Sequence, residues 1–314
     1  MTRLIDRKLL VVTGKGGTGK TVAAVGLARL AAKLGKRVLL CEVDGTGDIG
    51  RPYGVEDIGF NAKEVEPSLF LMQIDTEAAL QEYLQLNLKL PLALRVGPLA
   101  KIFDFVATAA PGVREILTMG KVCWEVKREN YDLVVLDAPS TGHVLSQLAS
   151  PDSIGELITV GPLLSQTAWM REMLRDPMRT GAVIVTTPEE MPVSESIHLA
   201  ARLRDETRTP LAAIVVNRVL PQLFSRAEAT AFDSLALGPK RTALDVKVPG
   251  NLGAIFGAAE LARRMRDRQV VHVETLRNAL DGAAPFLFVP QNFESTDTGQ
   301  VVEHVFDALA GELE

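Results

Sequence analysis

The sequence predicts an α/β fold: a doubly wound, mostly parallel sheet with helical insertions. Short, wholly apolar and β-branched runs recur along the chain, separated by segments of helix length. The first such run leads into a glycine-rich loop and then an apolar pattern of helical period, "LLVVTGKGGTGKTVAAVGLARLAAKLGKR".

Taken in order, "LLVVT" (9–13) reads as a strand buried on both faces. The helix after the loop is expected to end at Gly35, where a left-handed residue closes a helix. "RVLLCEVD" is the second strand, completing one right-handed βαβ unit. Five more strands are expected at "LFLMQID" (69–75), "YDLVVLDA" (131–138), "GAVIVTT" (181–187), "LAAIVVN" (211–217) and "PFLFVP" (285–290), which makes seven. Residues 1–314 read as one domain, and 76–128 and 144–180 as mostly helical insertions forming a client-binding subdomain. Within the first, "LQLNLKLPLALRV" has a strand period broken by Pro91; two short helices meeting at Pro91, with Leu84 and Leu88 on one face, are the expectation. "LAGELE" is expected to end the chain as a frayed helix terminus.

Composition narrows the function classes. At 47% hydrophobic and 5% aromatic, the chain can bury a full aliphatic core. Its net charge of −5 argues against attraction to nucleic acid or anionic lipid by bulk charge. Two distant cysteines, Cys41 and Cys123, fit a reducing compartment better than a disulfide framework or a structural zinc site. The apolar run before the first glycines is too short for a signal peptide, and no stretch is long enough to span a membrane. The expectation is a soluble, cytoplasmic protein without nucleic-acid partners or direct membrane insertion.

Gly14, Gly19, Lys20 and Thr21 satisfy G-x-x-x-x-G-K-[ST] between a buried strand and a helix. In such a P-loop the backbone N–H groups turn inward and the helix N-terminus adds partial positive charge. Gly14, Gly16, Gly17, Thr18, Gly19, Lys20, Thr21 and Val22 are therefore the candidate ATP/ADP-binding residues. Lys20 would reach the β- and γ-phosphates, and the Thr21 hydroxyl would ligate Mg²⁺. Asp137, at the end of "YDLVVLDAP", is the candidate second anchor for that metal, partly through water. Hydrolysis needs a group to orient water. "CEVDGTGDIG" supplies Glu42, Asp44 and Asp48; Asp44 stands at the strand edge, and Asp48, in a glycine-rich loop, is held in reserve.

"GKGGTGKT" resembles the deviant Walker A loop of the MinD/ParA/nitrogenase-iron-protein class. Within that class the chain is most similar to the ArsA-type ATPases, which include the arsenite-pump ATPase and the ATPase for guided entry of tail-anchored proteins. "DAPSTGHVLSQLASP" (137–151) resembles that family's second switch, with Asp137, Thr141, Gly142, His143 and Leu145 in register and Ala138-Pro139 one place early. "MQIDTEAALQEYL" (72–84), "LRDPMRTGAVIVTTPEEMPVSES" (174–196), "AAIVVNRVLP" (212–221) and "FVPQNFE" (288–294) resemble further family motifs.

The resemblance implies a role for the first lysine of the loop. Lys15 would cross a dimer interface to the γ-phosphate held by the opposite subunit, acting catalytically in trans; a solvated loop charge is the plain alternative. It also implies that Asn217 hydrogen-bonds the adenine edge, with Pro290 and Gln291 across the base; a strand-end turn cap is the alternative for Asn217. The first switch departs from the family's T-D-P-A-H-x-L-x-D. Asp44 matches its first aspartate, the histidine is absent, and the later aspartate is displaced. Which of Asp44 and Asp48 positions the water stays open.

Two widely separated cysteines disfavour a three-thiolate arsenite site, and no CxxC is present to hold zinc between subunits. The implied protein is a Mg²⁺-dependent ATPase that opens and closes as a homodimer, or as a heterodimer with a paralogous ATPase. It would be coupled to an anion transporter or a hydrophobic membrane-protein client. "GPLLSQTAWMREMLRDPM" (161–178), rich in Leu and Met, is a candidate client surface, against the alternative that it packs on its own domain. A MinD/ParA-like positioning ATPase is the alternative function, disfavoured by the acidic tail. His143, a single histidine beside the switch, reads as structural rather than metal-binding.

Overall fold

The computed structural model describes residues 4–43, 45, 47–87, 112–157, 162–236, 239–248, 250–294 and 297–313. Strands β1 (Leu9–Gly14), β2 (Val38–Val43), β3 (Lys63–Glu66), β4 (Leu69–Ile74), β5 (Leu133–Asp137), β6 (Thr180–Thr186), β7 (Leu211–Val219) and β8 (Phe286–Pro290) form one sheet. Their order is β3-β4-β2-β5-β1-β6-β7-β8, and every pairing is parallel except β3 with β4. This is the doubly wound, mostly parallel α/β sheet that the strand rhythm implies.

Period-2 alternation decides which core each residue joins. Leu10 and Val12 of β1 pack with the helices Lys20–Lys33 and Thr298–Leu313 on one face. Leu9 and Val11 pack with Val113–Lys127, Thr141–Leu157, Pro162–Arg175 and Glu190–Arg202 on the other. Covered on both faces, the central strands need no polar positions, which is why they read as unbroken apolar runs. The first helix does close at Gly35, whose φ is +87° and whose N–H reaches Ala32 O at 3.0 Å.

The eighth strand departs from the sequence reading. β3, "KEVE", is an antiparallel edge strand paired only to β4, so it carries charge where a central strand carries aliphatics. The first insertion contains helices Thr76–Asn87 and Val113–Lys127; the expected break at Pro91 lies outside the described residues. Met170, Met173 and Leu174, assigned to a candidate client surface, are buried in the core beneath the sheet. Those three pack internally, as helical spacing onto a covered face allows, whereas Met178 at the end of the stretch is exposed.

A larger group of exposed apolar side chains lies further along the chain. Among the described residues from 221 to 275, Leu252 alone is buried. Helices Arg226–Ala236, Pro239–Lys247 and Leu252–Ala279 fill this stretch, and the last docks on β7 through Leu276 and Leu280. Leu223, Val246, Ile255, Leu261, Met265 and Val271 are exposed there. Sequence reading did not single out this excursion.

Candidate functional site

β1 lies between β5 and β6, so the loop leaving its carboxyl end emerges at the switch point of the sheet, where open α/β folds bind ligands. Gly14 makes the turn at φ +151°, and a Cβ there would stand 2.1 Å from Val185 O of β6. Only glycine lets the two strand ends meet this closely. Gly17 and Gly19 also have positive φ, at +83° and +93°, while Gly16 and Gly17 are exposed at the mouth of the loop. Gly19 is the N-cap of Lys20–Lys33, so the loop ends on the first free N–H groups of that helix.

The Lys15 carbonyl gathers the loop. It accepts from the Thr18 hydroxyl at 2.9 Å and from Lys20 Nζ at 3.3 Å. Burial pulls the Lys20 ammonium below its ordinary value, against the opposing fields of Asp137 and Glu195. Val22 follows, half-buried against the upper core.

The Thr21 hydroxyl donates to Asp137 Oδ2 at 2.7 Å. Register brings this about: Val12 and Asp137 are partners across β1 and β5, so the strand-end carboxylate faces the first turn of the loop's helix. Asp137 Oδ1 is buried and has no hydrogen-bond partner among the described residues. Burial, with Glu42 and Asp48 adding to it, pushes this carboxyl up to about 6, while the Thr21 hydroxyl and Lys20 pull it down. A hydroxyl beside a carboxylate that keeps one orphaned, buried oxygen is a donor set that suits a hard divalent cation such as Mg²⁺.

Lys15 is the second cation of the loop. Its Nζ lies 3.1 Å from Glu195 Oε2, and the Thr141 hydroxyl donates to Glu195 Oε1 at 2.8 Å. Glu195, on helix Glu190–Arg202, thus joins the loop to the start of the helix that follows Asp137. The Thr141 hydrogen bond first, and then Lys15, hold its carboxyl below the usual range. Sequence reading had not picked out Glu195. Nothing local marks it, since its meeting with Lys15 depends on two crossovers.

Asn217, in the last part of β7, faces the loop: its Nδ2 donates to Thr18 O at 2.9 Å, and a Cβ on Gly19 would come within 2.3 Å of that nitrogen. Its Oδ1 also accepts from Arg218 N at 2.9 Å. Gln291 N donates to Val219 O at 2.9 Å, so Pro290 and Gln291 lie beside the end of β7 at Val219. Of the two water-orienting candidates, Asp44 lies outside the described residues; Asp48 is ion-paired with Arg51 at 2.9 Å. His143 is exposed, and no group of three or more metal-binding side chains occurs among the described residues.

Comparison with known proteins gives the family. The family described as anion-transporting ATPase, ArsA, matches residues 7–163 and 160–233. ATPase BagA of Mycobacterium tuberculosis is 32% identical over 231 residues, covering 70% of this chain and 67% of that protein. ATPase GET3B of Arabidopsis thaliana is 29% identical over 267 residues, covering 68% and 65%. ATPase get3 of Schizosaccharomyces japonicus is 31% identical over 173 residues, about half of each chain. The chain belongs to the ArsA-type, anion-transporting ATPase family and is an ATP hydrolase.

Proposed function

We propose that the chain is a Mg²⁺-dependent ATPase in which hydrolysis drives opening and closing of a dimer, coupled to an anion transporter or a hydrophobic client. The observation that carries the reading is the division of labour between the two lysines. Lys20 is drawn into its own loop, whereas Lys15 is a third exposed and turned away toward Glu195.

In this reading the loop N–H groups from Gly14 to Thr21 cradle the phosphates, and Lys20 holds the β- and γ-phosphate oxygens. Thr21 and Asp137 would hold Mg²⁺, which when bound neutralises charge on the phosphates. Asp44 or Asp48 orients a water whose oxygen bonds to the γ-phosphorus as the β–γ bridging bond breaks. ADP leaves with the bridging oxygen, and the water's protons go to phosphate and solvent. Lys15 from a second subunit, identical or paralogous, completes the charge around the γ-phosphate, as a finger residue does in trans. Asn217 with Pro290 and Gln291 forms the base pocket.

The client reading is supported by the exposed apolar residues of 223–271 rather than by 161–178. Binding of a labelled hydrophobic helix with ATP analogue, with ADP and without nucleotide tests it. Affinity that follows the nucleotide supports the coupling, and equal affinity in all three conditions refutes it.

A further inference from the structure

Glu42 is a carboxylate in a costly place. It is 3% exposed, near the end of β2, and no ion pair to it occurs among the described residues. In register across β2 and β5 it stands beside Asp137, whose ionisation its charge helps to disfavour. Burying an anion next to another is unfavourable unless hydrogen bonds hold it.

Those bonds come from the loop that follows. Gly47 N donates to Glu42 Oε1 at 2.9 Å, and Ile49 N reaches Oε2 at 3.5 Å. Gly45 lies flat on the carboxyl group: a Cβ there would come within 2.5 Å of Glu42 Cδ and 2.7 Å of Oε2. From the other side, Gln73 Nε2 of β4 donates to Gly45 O at 2.7 Å. Gly45 and the residues from Gly47 to Ile49, which include Asp48, are therefore wrapped around the buried carboxyl group and tied to β2 and β4.

We propose that Glu42 is a positioning residue for hydrolysis: it fixes the loop bearing the water-orienting carboxylate relative to Asp137 and the phosphate loop. This rests on the reading that Asp44 or Asp48 orients the attacking water. Glu42 touches neither nucleotide nor metal in this scheme, so its removal acts on the chemical step and spares binding. Glutamine fills the same space but has one acceptor oxygen where glutamate has two, and no charge, so it can hold one of the two amides but not both, which separates packing from positioning.

The test compares Glu42→Gln with the parent for kcat, KM for ATP, ADP affinity by titration, melting temperature and amide hydrogen exchange at residues 45–49. The expected result is a 10- to 100-fold fall in kcat, about the loss seen when outer-shell partners are removed. ADP affinity and KM should stay within about twofold, and exchange at Gly47 and Ile49 should quicken. Gly45→Ala, which pushes the loop off an intact Glu42, should reproduce the loss of kcat and covers the case in which Glu42→Gln fails to fold. Unchanged kcat in either folded variant, or kcat and ADP affinity falling together, overturns the proposal. Asp44→Asn and Asp48→Asn are run in parallel. If both keep full activity, the water-orienting reading fails; a slow Glu42→Gln beside them would then mean that Glu42 acts directly, which also overturns the proposal.

Discussion

An Asp137→Asn substitution is expected to stabilise the metal-free chain while ending hydrolysis. The Asp137 carboxyl is displaced from 3.8 to about 6, chiefly by burial. Because the native value lies above the unfolded one, ionisation favours unfolding. The penalty is complete above pH 6 and vanishes as the pH falls below 4. In full it is worth about 3 kcal/mol. Asparagine removes the charge and keeps a carbonyl oxygen to accept from Thr21, whose bond to Asp137 is 2.7 Å long. At pH 7.5, without Mg²⁺ or nucleotide, the variant should therefore melt several degrees above the parent. At pH 4.5 the advantage should shrink to about 1 kcal/mol. Adding Mg²⁺ and an ATP analogue at a hundred times its dissociation constant stabilises the parent by about 2.7 kcal/mol, and the variant should not share in it. Differential scanning calorimetry at the two pH values reads the first effect, and phosphate release reads the second. A variant that melts below the parent at pH 7.5, or a gain that ignores pH, would refute the electrostatic argument.

Other consequences follow from single contacts. Glu195→Gln removes the charge facing Lys15 and keeps an acceptor for Thr141. Because both side chains are about a third exposed, the melting temperature should move by less than about 2 °C. A larger fall would mean that the pair holds the site together. Asn217→Ala frees the Thr18 carbonyl and should weaken ADP binding by roughly two- to tenfold in a titration, the worth of one hydrogen bond; an unchanged affinity counts against a base-pocket role. Gly14→Ala forces a Cβ against the backbone of β6 and should destabilise the chain by more than about 3 kcal/mol in urea unfolding. A normal midpoint would mean that the strand ends can part.

The site was most legible where chemistry and local structure coincide. A P-loop must follow a buried strand and open a helix, so "LLVVTGKGGTGKT" declares its own geometry, and Asp137 is marked by ending an apolar run. What went unread depends on tertiary placement. β3 is four residues of Lys, Glu and Val whose only strand partner is β4, so its pattern has no second face to report. The 161–178 stripe has helical spacing, and spacing does not say whether a face is covered; Met170 and Met173 turned out to be core. The arginine-rich helix Leu252–Ala279 exposes Leu261 and Met265, which looked unremarkable in a charged stretch. Glu195 and Glu42 matter through partners brought by folding, Lys15 and Thr141 for one and the amides of Gly47 and Ile49 for the other.

The sharing of Lys15 between subunits is tested most directly by mixing two inactive variants. A Lys15→Ala chain keeps Asp137 but lacks the lysine; an Asp137→Asn chain keeps the lysine but lacks the metal anchor. If Lys15 acts across the interface, a mixed dimer regains one working pocket, and equimolar random mixing restores about a quarter of parental turnover. If each chain uses its own Lys15, every pocket stays broken and the mixture is as inactive as its components.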